Sequence, residues 1–154
     1  MDKKSITIIS IKTYYANQIF NKTKIYEFRK SPLKNELLNK KIYIYSSKKD
    51  KAIIGYFKVD KVLNGNIVEI LSKTGYGKKK DKEEIINYYG INNSKCYAYH
   101  LYEVTEFKEK LTLEEMKKVY NKTTMPQYIK HIYEDNPLYK TITEWDKKYI
   151  NKGE

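Results

Sequence analysis

Residues 41–63 limit the fold more than any other stretch. "KIYIYSS" (41–47) and "AIIGYFKVDKVL" (52–63) are β-branched and aromatic runs joined through the polar "SSKKDK". Such runs, bounded by lysine and aspartate, predict two strands with a hairpin-type connection. Gly55 inside the second run marks a bulge or a close backbone approach. "ITIISIK" (6–12) and "KCYAYHLYEVTEF" (95–107) read as further strands. "KIYEFRK" (24–30) alternates, with Ile25, Glu27 and Arg29 on one side and Lys24, Tyr26, Phe28 and Lys30 on the other. It predicts a strand with one charged and one apolar face.

Helices are expected between the strands. "TYYANQIFN" (13–21) places Ala16, Ile19 and Phe20 on one face, with Thr13 as a cap. "IVEILSKT" (67–74) reads as a short helix after the turn Asn64-Gly65-Asn66. "DKEEIINYYG" (81–90) has Asp81 as a cap, early acids and a terminal glycine. "GYGKKK" (75–80) reads as a flexible basic loop with Tyr76 outside the core. The pattern predicts an α+β fold: a mixed, mostly antiparallel sheet closed into a small barrel over 1–107, with flanking helices. Residues 108–154 form a helical extension packed on it as part of the same unit. "TLEEMKKVY" and "PQYIKHIYED" are expected to be helical, while "YKTITEWDKKYI" fits either state.

The length of 154 residues suits one domain with a real core. No stretch nears the roughly 20 apolar residues of a membrane span, and "MDKKSITIIS" reads as a first strand rather than a signal peptide. The one cysteine, Cys96, forms no internal disulfide, which points to a reducing cytoplasm. His100, His131 and Cys96 lack ligand spacing, so no metal is expected, and without a phosphate-loop or dinucleotide motif no cofactor is expected either. The net charge of +12 favours a polyanionic partner. Abundant Lys, Asn, Ile and Tyr also fit AT-rich codons, so part of that charge can be compositional bias.

Of the 31 basic residues, 30 are lysine. The exception is Arg29, two residues after Glu27. A guanidinium is a planar fork that holds a phosphate or a base edge at two points, which lysine cannot do. Glu27, on the same strand face, can orient that fork or act as an acid or base. Two readings fit: a polar pocket, or an ion pair that closes the sheet.

"SIKTYYANQIFNKTKIYEFRK" resembles the ASCH domain family of PUA-like β-barrels. That family's signature is Gly-x-Lys-x-x-Glu-x-Arg, and here Lys22 replaces the glycine while Lys24, Glu27 and Arg29 match. "ISIKTYYA" resembles the family's opening, with Thr13 where proline is common. "YIYSS" with "AIIGYFKVDKV" resembles its hairpin, and "YGINNSKCYAYHL" its closing passage. "MPQYI" (125–129), with Gln127, is similar to a Pro-Gln segment of one bacterial and archaeal subgroup.

The resemblance implies binding of RNA, or of a modified nucleobase within a nucleic acid, in a cleft at the barrel mouth. It favours the pocket reading of Lys24, Glu27 and Arg29. Ser10, Lys12, Tyr14, Tyr45, Ser46 and Ser47, where two strands end, suit a base edge and a base face. Lys12, Lys30, Lys48, Lys49 and Lys78 to Lys80 are expected on phosphates, and Tyr76 as a clamp in its basic loop. The alternative is a small hydrolase, a single-stranded RNA nuclease or an acyl-cytidine amidohydrolase, with Lys24 and Glu27 catalytic. The amidohydrolase-like members have a threonine where this chain has Glu27.

Overall fold

The computed structural model describes residues 3–91 and 93–150. Along the chain run β1 (Ser5–Lys12), α1 (Thr13–Phe20), β2 (Tyr26–Arg29), β3 (Ile42–Ser47) and β4 (Ala52–Gly65). They are followed by α2 (Ile67–Thr74), α3 (Lys82–Tyr89), β5 (Cys96–Thr112), α4 (Leu113–Val119), β6 (Ile129–Tyr133) and α5 (Pro137–Tyr149). Among the described residues the six strands form one mixed sheet in the order β2-β5-β4-β3-β1-β6. That order has two ends, so the expected barrel is a sheet with edges. β1 and β3 are parallel from Thr7↔Ile42 to Lys12↔Ser47, and β1–β6, β2–β5 and β3–β4 are antiparallel.

β6 corrects the expectation of a helix over "PQYIKHIYED". Residues 129–133 pair antiparallel with β1, from Ile9↔Ile129 to Ser5↔Tyr133. β1 already uses one edge on β3, and its other edge offers unpaired N–H and C=O groups. Satisfying that edge outweighs the weak helical pattern of the segment.

The chain divides into two compact units, and the division falls within β4 and β5. The first holds residues 1–24, 41–58 and 103–154. Its core joins Ile8, Tyr43, Ile53, Phe107, Leu111, Met116, Ile132, Leu138 and Ile142. Gly55 fulfils both roles expected of it. The β3–β4 register shifts beside it, between Ile44 and Tyr45. A Cβ at Gly55 would also lie 2.1 Å from the Thr105 carbonyl oxygen. α4 opens with a reciprocal box between Thr112 and Glu115. α5 opens on Asn136, whose side chain accepts from Leu138 N, with Pro137 in the first turn. That helix resolves the ambiguous "YKTITEWDKKYI". It is held by the Trp145 indole, which donates to the Glu109 carbonyl at 2.8 Å. Asp146 adds a second anchor, accepting from Tyr43 Oη at 2.6 Å and Lys41 Nζ at 2.8 Å.

The second unit holds residues 25–40 and 59–102. Tyr26, Ile67, Ile70, Leu71, Tyr76, Ile85, Tyr89, Cys96 and Ala98 make its core, with Phe28 packed against them. α2 starts from a box between Asn66 and Glu69 and stops at Gly75, whose φ of 79° is left-handed. Asp81 precedes α3 but makes no side-chain cap bond. Tyr76 overturns the picture of a loop-tip aromatic. It sits in a 3₁₀ turn, Tyr76–Lys78, and is only 3% exposed. Tyr26 and Phe28 meet it edge-on, at 6.3 and 5.1 Å between ring centres. Two flanking glycines suggested mobility, but burial of a large ring against two others dominates.

Candidate nucleic-acid interface

In the second unit, the alternation of β2 sends Tyr26 and Phe28 into the core and turns Glu27 and Arg29 to the other face. β2 pairs with β5 so that Glu27 lies opposite Tyr99 and Arg29 opposite Tyr97. Arg29 Nε and Nη2 both donate to Glu27 Oε2, at 2.8 and 2.5 Å. The side chains are 14% and 6% exposed. A buried carboxylate thus sets the plane of the chain's one guanidinium. Next along, Lys30 Nζ lies 4.9 Å from the centre of the Tyr88 ring, which is half-exposed on α3. Tyr89 donates to the Tyr97 carbonyl at 2.7 Å. Burial, with Cys96, Tyr88 and Glu27 nearby, pushes its phenol well above the usual range. His100 Nδ1 meets Asp60 Oδ1 at 2.8 Å.

In the first unit, the parallel strands β1 and β3 end together at Lys12 and Ser47, where the chain turns into α1. Thr13 is not the cap; Lys12 is, and no side chain caps the helix. The Thr13 hydroxyl instead donates to the Ser47 carbonyl at 2.7 Å and lies 2.8 Å from Ser46 Oγ. Ser46 Oγ donates to Asp50 Oδ2 at 2.9 Å, and Lys110 Nζ to Asp50 Oδ1 at 2.9 Å. Burial pushes the Asp50 carboxyl up, but the bonds from Lys110 and Ser46 outweigh it and hold it below its ordinary value. This network closes the β3–β4 turn, where Lys48 and Lys51 take φ of 77° and 48°.

The residues expected at the strand ends meet different surroundings. Ser46 is fully buried, and Tyr45, expected at an open mouth, lies in the core with its phenol pushed up by burial. Ser47 enters the network through its backbone. Lys12 and Gln127 are exposed, and Ser10 Oγ donates to the Pro126 carbonyl at 2.6 Å. Tyr14 is 62% exposed on α1. Lys24 belongs to this unit, its Nζ 5.0 Å from the centre of the Tyr15 ring. Lys22, at the family's glycine position, has φ 65° and so keeps the glycine-type turn. Sequence reasoning passed over Asp50, Lys110 and Tyr88. The lone acid in "SSKKDK" was a signal for Asp50, whereas Lys110 and Tyr88 come from distant elements. Among the described residues no three His, Cys, Asp or Glu side chains gather as a metal site.

No family model and no curated protein sequence matches this chain. Solved structures do. The crystal structure of ASCH from Zymomonas mobilis superimposes with a TM-score of 0.75 at 21% identity, covering 89% of this chain and 93% of that one. A serine-to-alanine mutant of the Zymomonas mobilis protein gives 0.76 at 20% identity, over 94% and 99%. A tyrosine-to-phenylalanine mutant gives 0.75 at 20% identity, over 89% and 96%. The chain has the fold of these ASCH structures.

Proposed function

We propose that this protein binds nucleic acid, RNA in the first place, through a base edge or phosphate held by Arg29 and backbone phosphates held by surface lysines. The reading rests on one observation: the only arginine stands nearly enclosed beside Glu27, with Nε and Nη2 on one carboxylate oxygen. A guanidinium set in this way presents a directional, planar contact rather than a diffuse charge. The ASCH fold, with its PUA-like architecture, and the net charge of +12 support the same reading.

The test is fluorescence anisotropy with short single- and double-stranded RNA and DNA, at several salt concentrations. Arg29→Ala is expected to weaken RNA binding about 10-fold, and Arg29→Lys to restore little of it, because a point charge lacks the fork. Denaturing gels of the recovered RNA should show it intact; Arg29-dependent cutting would make the protein a nuclease instead. Binding that ignores Arg29 and vanishes at moderate salt would sink the proposal.

A further inference from the structure

The first unit carries a second aromatic feature that the Arg29 site does not use. Tyr14 stands on α1 with 62% of its surface exposed, although tyrosine is a large, half-apolar side chain. Its ring meets Tyr15 edge-on, 5.2 Å between centres and 75° between planes. Lys24 Nζ lies over the Tyr15 ring at 5.0 Å. The cation lies over Tyr15, and Tyr15 packs against Tyr14 at a steep angle, so the exposed ring is oriented rather than loose.

The charges along this part of the sequence favour one kind of occupant. Between Asp2 and Glu27 the sequence contains no Asp or Glu, while Lys3, Lys4, Lys12, Lys22 and Lys24 all fall there. α1 accordingly has no acidic residue in its first turn, where acids are usual. An oriented, exposed aromatic face in a stretch with only positive charge suits a flat π-system attached to an anion.

From this we infer that Tyr14 is a stacking platform for one unpaired nucleobase, with Lys24 holding the platform through Tyr15. This rests on the nucleic-acid reading above and gives one residue of the expected strand-end group, Tyr14, a definite role apart from Arg29. A base inside a duplex has both faces covered, so the platform discriminates for splayed or single-stranded bases.

The experiment compares two single-stranded probes of equal length and charge, one with bases and one abasic, at fixed salt. Wild type should bind the base-bearing probe about 5- to 100-fold more tightly, the range of one base–aromatic stack. Tyr14→Ala should erase most of that difference, and Tyr14→Trp should keep it. The salt slope should stay the same in both, since no phosphate contact is lost. Arg29-dependent binding that Tyr14→Ala leaves unchanged would overturn the platform while the proposed function stands. No binding to either probe, by any variant, would overturn both. Gel filtration provides a further check: a dimer that Tyr14→Ala dissolves would make the ring a self-association patch and overturn the inference.

Discussion

Asp146 on α5 and Glu27 on β2 are both almost enclosed carboxylates, 5% and 6% exposed, and each has a cation against it. The donors to Asp146 come from Lys41 and Tyr43, 105 and 103 residues away in the chain. Each of those bonds joins α5 to β3 or its entry, so the carboxylate works as a tertiary clamp. The Glu27 bond runs to Arg29, two residues along the same strand. It adds no long-range closure and instead fixes the direction of a guanidinium. Burial alone therefore does not say what a carboxylate holds: Asp146 ties a helix to a strand, whereas the bond from Arg29 to Glu27 is local to β2. The tyrosines repeat the contrast. Tyr76 and Tyr14 both adjoin basic residues in space or sequence, yet one is 3% exposed and the other 62%.

The contrast can be broken in four places. The largest effect is expected at Tyr76. Tyr76→Ala should lower stability by about 3 kcal/mol in urea unfolding, as truncation of a core aromatic does. Tyr14→Ala should change stability by less than about 0.5 kcal/mol. Equal losses would erase the distinction between them. Asp146→Ala comes next, at about 2–3 kcal/mol, because it leaves the buried Tyr43 hydroxyl without its acceptor. A smaller loss of about 1 kcal/mol is expected for Glu27→Gln, together with roughly a 5-fold loss of RNA affinity as the guanidinium loses its holder. If Glu27→Gln unfolded the protein as readily as Asp146→Ala, Glu27 would be a clamp as well.

The smallest effect is acid dependence at Asp50. Its folded-state pKa lies below the ordinary value, so the unfolded chain takes up the proton more readily. The stabilisation is therefore complete above about pH 4 and fades as pH falls through the folded-state pKa. Lys110 is largely exposed, which limits the gain to about 0.5–1 kcal/mol. Thermal melts from pH 6 to pH 2 should show a shallower acid loss for Asp50→Asn than for wild type. Parallel curves would mean that the Lys110–Asp50 pair contributes nothing.

Much of the architecture was legible because its causes are local. The strand runs at 6–12, 41–47 and 52–63, the helix at 67–74 and the special place of Gly55 follow from β-branching, turn chemistry and steric room within a few residues. The charged face of β2 was legible too, since alternation puts Glu27 and Arg29 on one side whatever packs there.

Other features depended on partners far along the chain. Residues 129–133 became a strand because β1 had an unsatisfied edge, which no window around 129 reveals. Tyr76 went inside because Tyr26 and Phe28 provided a ring-lined space for it. Thr13 gave up capping because Ser46 and the Ser47 carbonyl were within reach. Sequence by itself determined most of the elements and the chemistry carried on each face. Tertiary structure decided which polar groups were used up inside the protein and which aromatics stayed on its surface. The reason is that hydrogen-bond satisfaction and burial are properties of pairs, and most of these pairs span tens of residues.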